Sequence, residues 1–149
     1  MRPDTAPIPR PAPAAAALGF INPPGLYDPR PNGYSHVATA PAQARAVFVA
    51  GQGGETAAGE LSPDFGEQLR QAFTNLRTAL AAADAGLHDV AKLTVLVVNH
   101  TEQRLALLSQ TVRSLWPDGA APACTLIPVP RLALDGMLVE VEATAVVAA

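Results

Sequence analysis

A single cysteine in 149 residues excludes an internal disulfide, so nothing in the chain calls for an oxidising compartment. Three scattered histidines beside that cysteine supply no metal-ligand spacing, and neither a metal nor a cofactor is expected. Charge is scarce too: 15% of residues are charged, with a formal net charge of -3. That balance leaves no basic footprint and argues against nucleic acid as a partner. No stretch of roughly 18 apolar residues occurs, so no membrane-spanning helix is expected. The opening "MRPDTAPIPRPAPAAAALGF" is interrupted by Pro7, Pro9, Pro11 and Pro13 and lacks a leucine-rich core. Residues 1–17 therefore read as a disordered Pro/Ala-rich tail on a cytoplasmic protein rather than as a signal peptide.

What remains is rich in core-forming residues. Hydrophobic side chains make up 49% of the chain, enough for one well-filled domain over 18–149. The Pro/Gly-rich "INPPGLYDPRPNGYS" (21–35) suits an ordered surface arm. "HVATA" (36–40) and "RAVFVAG" (45–51) read as strands, and "GQGGETAAGEL" (51–61) as a glycine-rich loop or ragged hairpin. Ser62 as N-cap and Pro63 at the first helical position open a helix. Its apolar stripe is Phe65, Leu69, Ala72, Phe73, Leu76 and Leu80, with Gly86 as its stop. "KLTVLVV" (92–98) predicts a buried strand. "TEQRLALLSQTVRSLW" (101–116) predicts a second helix, ending on a core Trp116. "CTLIPV" (124–129) and "MLVEVEATAVV" (137–147) are the closing strands. In the last, Met137, Val139, Val141, Ala143 and Ala145 share one face, and Leu138, Glu140, Glu142 and Thr144 the other.

The pattern predicts an α+β fold, a mixed sheet with two helices on one face. The strands at 45–50 and 92–98 are apolar on both sides, and no further elements exist to cover the second face. A homo-oligomer follows from that shortage.

Four blocks carry a resemblance: "GYSHV", "VFVAGQGG…GEL", "EQLRQAFTNLRTALAAADAGLHDVAKLTVLVV" and "PACTLIPVPRLALDGMLVEVEATAV". In order and spacing, from about residue 20 to the end, they resemble the RidA (YjgF/YER057c/UK114) family. The resemblance implies a chorismate-mutase-like fold, a homotrimer, and ligand clefts between subunits. It also implies hydrolysis of imines and enamines such as 2-iminopropionate to keto acids and ammonia. Some members are described as endoribonucleases or translation inhibitors.

Carried over by position, the resemblance places Tyr34 at the cleft edge, Gly51 with its backbone toward the ligand, and Glu140 as the residue positioning the attacking water. Cys124, followed by Thr125, stands where imine deaminases have a carboxylate-clamping arginine; Ala50 stands where many have serine, and Leu107 near a frequent asparagine. Each change removes a polar group, and a lost bidentate guanidinium costs a carboxylate its strongest partner. Arg131 is common in active members beside that arginine and is a poor substitute. Cys124 keeps three readings: an apolar filler, a polar contact for a substrate lacking a carboxylate, or a reactive thiol with His36 as its base. Glu140 and Glu142 on one face suit a solvated or ion-paired surface equally well. His88 and His100 read as ordinary surface residues. The function expected is a small-molecule hydrolase or deaminase with altered substrate range; the alternative is a non-catalytic trimer that binds or senses a small metabolite.

Overall fold

The computed structural model describes residues 18–148; the tail expected over 1–17 lies outside them. Eight named elements follow in chain order. They are β1 (Gly19–Ile21), β2 (Val37–Thr39), β3 (Ala44–Gly53), α1 (Phe65–Ala81), β4 (Val90–Val98), α2 (Glu102–Leu115), β5 (Ala123–Val129) and β6 (Val139–Ala148). One short strand pair, β1 with β2, stands apart, and the main sheet runs β3-β6-β4-β5. In it β3, β6 and β4 are antiparallel neighbours, while β4 and β5 are parallel and joined through α2. Parallel neighbours need a long crossover, and α2 supplies it.

The period of the apolar residues explains the layering. Leu93, Val95 and Val97 of β4 and Val139, Val141, Ala143 and Ala145 of β6 are buried, as are Phe65, Leu69, Ala72, Phe73, Leu76 and Leu80 of α1. With Leu108 and Val112 of α2 and with Trp116 they form one core between sheet and helices. Trp116 packs edge-on against Phe73 at 6.3 Å and donates its indole N–H to the Leu87 carbonyl at 2.9 Å. The other sheet face carries Phe48, 79% exposed, and Ile127, 42% exposed, and no described element lies over it.

Local chemistry differs from expectation at several points. The N-cap of α1 is Asp64, whose carboxylate accepts the Glu67 N–H at 2.8 Å; Ser62 stands two residues earlier and accepts the Asp64 N–H at 3.1 Å. A carboxylate at the cap also complements the positive end of the helix better than a hydroxyl does. The helix ends at Ala81, five residues before Gly86, through a turn in which Asp84 takes the left-handed conformation (φ 54°). No hairpin forms over 51–61: β3 runs on to Gly53, with an irregularity between Val49 and Gln52. The unexpected strand is β1, upstream of the surface arm.

His100 is half-buried rather than an ordinary surface residue, and its Nδ1 is shielded without a hydrogen-bond partner. His88 is exposed as expected, 3.3 Å from the Asp89 carboxylate.

One buried polar residue organises the top of the core. Gln68, with no exposed surface, donates to the Ser62 and Gly136 carbonyls at 2.7 and 2.8 Å. Its oxygen accepts the Leu138 N–H at 2.8 Å. Two turns further, Asn75 donates to the carbonyls of Gly53 and Glu55 at 3.0 and 2.8 Å. The polar edge of α1 thus holds both the end of β3 and the approach to β6.

Candidate functional site

Glu140 and Gly51 meet across the sheet. Glu140 pairs with Gly53 on β3 and Leu96 on β4, so its side chain rises from the face opposite the helices. A methyl group on Gly51 would fall 1.7 Å from Glu140 Oε1. A side chain at 51 would therefore displace the Glu140 carboxylate, so glycine there serves close approach and not a turn. The same reason applies at Gly54, where an added carbon would lie 2.5 Å from Gln68 Cβ. Ala50 is exposed beside Gly51. Glu140 makes no hydrogen bond among the described residues, so both carboxylate oxygens remain free acceptors. Glu142, one pleat along, is exposed opposite Thr94.

A second group gathers at the start of β5. Cys124 is in register with Leu93 and packs against the helix-side core, so it lies on the sheet face opposite Glu140. Burial pushes its thiol up to about 11, with the Lys92 ammonium pulling weakly the other way. Thr125 points to the open face, where Lys92 Nζ donates to its Oγ1 at 2.7 Å. The arm brings Tyr34 close by: Ser35 bridges to Ala123 and donates its hydroxyl to the Ala121 carbonyl at 2.7 Å. Tyr34, Tyr27 and His36 stack edge-to-face, and the two tyrosine hydroxyls are hydrogen-bonded to each other. His36 Nε2 lies 2.8 Å from the Tyr27 carbonyl oxygen, an arrangement that ties the ring to the arm and not to Cys124. Tyr34 lines a pocket of about 230 Å³ that also holds Arg113 and Trp116.

Leu107 stands apart, on α2, in a groove between the two helices. Arg131 is engaged with Asp135 at 3.0 Å and with the Leu132 carbonyl at 3.2 Å. Within one chain, then, Gly51 and Glu140 form one centre; Cys124 and Thr125 face opposite sides of the sheet at the start of β5, Tyr34 lines a separate pocket, and Leu107 joins none of these. Lys92 went unnoticed in the sequence reading, although it is the only lysine of the chain and the only charge inside "KLTVLVV". A lone cation in an otherwise apolar strand is the signal that could have found it. Among the described residues no cluster of three or more His, Cys, Asp or Glu could hold a metal ion, and no helix is long and apolar enough to cross a membrane.

Comparison with known proteins gives the family of the fold. The family model described as Endoribonuclease L-PSP matches residues 28–147. A crystal structure of the Rid-family protein YyfB from Yersinia pestis, of unknown function, is 34% identical, with a TM-score of 0.82 over 87% of this chain and 98% of that one. RidA from an Antarctic Psychrobacter is 27% identical, with a TM-score of 0.61 over 72% and 86% of the two chains. A YjgF/YER057c/UK114 protein of Mycobacterium tuberculosis, 24% identical with a TM-score of 0.57 over 86% and 98%, shares the fold. No curated protein matches. The α+β architecture, the matched span and the 34% relative together establish that this chain belongs to the Rid (YjgF/YER057c/UK114) family.

Proposed function

We propose that this protein is a hydrolase of small reactive imines or enamines, acting in clefts completed between the copies of a homotrimer, with a substrate range shifted away from 2-imino carboxylates. The observation that carries the reading is the free Glu140 carboxylate held against the Gly51 backbone. A carboxylate with both oxygens uncommitted orients a water molecule, takes its proton as the water adds to an imine carbon and returns that proton to the nitrogen; the carbinolamine then gives up its hydroxyl proton to the nitrogen as the C–N bond breaks, leaving a carbonyl and ammonia or an amine. Trimer formation is supported by the bare sheet face bearing Phe48 and Ile127 and by the scatter of Tyr34, Cys124 and Glu140 within one chain. The shift in substrate rests on β5, which offers a neutral thiol at Cys124 where a guanidinium would grip a carboxylate. A non-catalytic binding trimer is the second reading, favoured by that same neutral, core-packed Cys124.

The test is the decay of two imines generated in situ by amine and amino-acid oxidases, one uncharged and one 2-iminopropionate. Wild type is expected to hasten decay of the uncharged imine preferentially. Glu140→Gln is expected to lower that turnover by about a hundredfold or more, the usual scale for a lost general base. Cys124→Arg is expected to move the preference toward 2-iminopropionate. Full turnover in Glu140→Gln would overturn the assignment of the base, and saturable binding without turnover in wild type would establish the binder.

A further inference from the structure

The groove between α1 and α2 lies outside the Gly51–Glu140 centre and outside the Tyr34 pocket. It has a volume of about 450 Å³, and its lining includes Leu69, Phe73, Leu107 and Leu115 as apolar walls. Arg70 and Arg77 line it as well, and no carboxylate does. In a chain of net charge -3, an acid-free groove carrying two guanidiniums is a local reversal of sign. Neither guanidinium has a hydrogen-bond or ion-pair partner among the described residues. The hydroxyls around them donate inward to their own helices: Thr74 to the Arg70 carbonyl at 3.0 Å, and Thr111 to the Leu107 carbonyl at 2.9 Å. The side-chain donors left facing the groove are therefore the two guanidiniums and the Gln110 amide, and only the guanidiniums are cationic.

Spacing narrows the ligand. Arg70 and Arg77 are seven residues apart on α1, hence on one helix face and about 10 Å apart along the axis. Between them along the helix the groove is lined by Phe73 and Thr74, with Leu69 next to Arg70 at one end. We infer that the groove binds an elongated dicarboxylate: two anionic ends about 10 Å apart, one on each guanidinium, joined by an apolar chain lying along Leu69, Phe73 and Leu107. Its volume is that of a small-ligand site. Leu107 is the only residue it shares with the cleft positions carried over from the family, and the inference stands whether or not Glu140 is catalytic.

The groove has its own reporter, because Phe73 touches the single tryptophan, Trp116. Full-length protein is titrated with decanedioate, butanedioate and decanoate while Trp116 emission is followed. Decanedioate is expected to bind about tenfold tighter than either of the others, the scale of one additional charge-assisted contact. Arg70→Gln and Arg77→Gln should each reduce decanedioate to the level of decanoate. Glu140→Gln should leave the titration unchanged, which separates this site from the proposed hydrolytic one. Both arginine variants change exposed residues, and a thermal melt verifies that they fold. Affinities independent of chain length, or unchanged in both arginine variants, would overturn the proposal. An emission change with decanoate as large and as tight as with decanedioate would show adsorption to an apolar surface and would overturn it equally.

Discussion

At the scale of single residues, Cys124 decides how the chemistry of β5 is understood. A thiol pushed to about 11 is ionised at pH 7 in on the order of one molecule in ten thousand, so it is a poor nucleophile. Alkylation by iodoacetamide at neutral pH should therefore be slow, with a rate rising about tenfold per pH unit and levelling off only near pH 11. The same burial has a consequence for stability. A group whose ionisation is raised on folding favours the native state below its ordinary value of 9.0 and loses that contribution as the pH rises towards 11. Wild type should accordingly lose roughly 2 kcal/mol between pH 9 and 11 that Cys124→Ala does not lose, measured by urea unfolding at each pH. A wild type and variant falling in parallel would show that the thiol is not held in the core.

At the scale of elements, α1 matters most, because its polar edge fastens two loops that the sheet alone leaves free. Gln68→Ala would strand the Ser62 and Gly136 carbonyls and the Leu138 N–H in a buried place. The expected loss is about 3 kcal/mol, a melting midpoint lower by roughly 10 °C. The apolar stripe of α1, the two-faced alternation of β6 and the burial of Trp116 were all legible in sequence, because spacing alone reveals which face is buried. Gln68 was not legible: a glutamine within a stripe looks solvent-facing until the partners that satisfy it, six and about seventy residues away, are in place. The cap at Asp64 was misread as Ser62 because two good capping residues stand two positions apart, and backbone geometry chooses between them. In the candidate site, the closeness of Gly51 and Glu140 needed the sheet order, and the separation of Cys124 from Glu140 needed the register, which no local pattern encodes.

At the scale of the whole molecule, the bare sheet face is the feature on which the proposed trimer rests. Phe48, 79% exposed, stands in a row with Thr144 and Lys92, and covering such a ring is worth about 2 kcal/mol per copy. Light scattering on wild type should give three times 15.4 kDa; Phe48→Asp should shift the protein toward a single copy, since it would replace the largest exposed apolar ring of that face with a carboxylate. A wild type running as a monomer would remove the interface on which the proposed cleft depends. The order of strands carries a further implication, for how the chain folds. β6 comes last of the described strands yet sits between β3 and β4, contributing Val139, Val141, Ala143 and Ala145 to the centre of the core. During synthesis β3 and β4 emerge before β6 with no direct pairing available to them, so the sheet cannot close until β6 has left the ribosome. Growing chains would hold two unsatisfied strand edges for the entire interval, the condition under which nascent proteins most need chaperones.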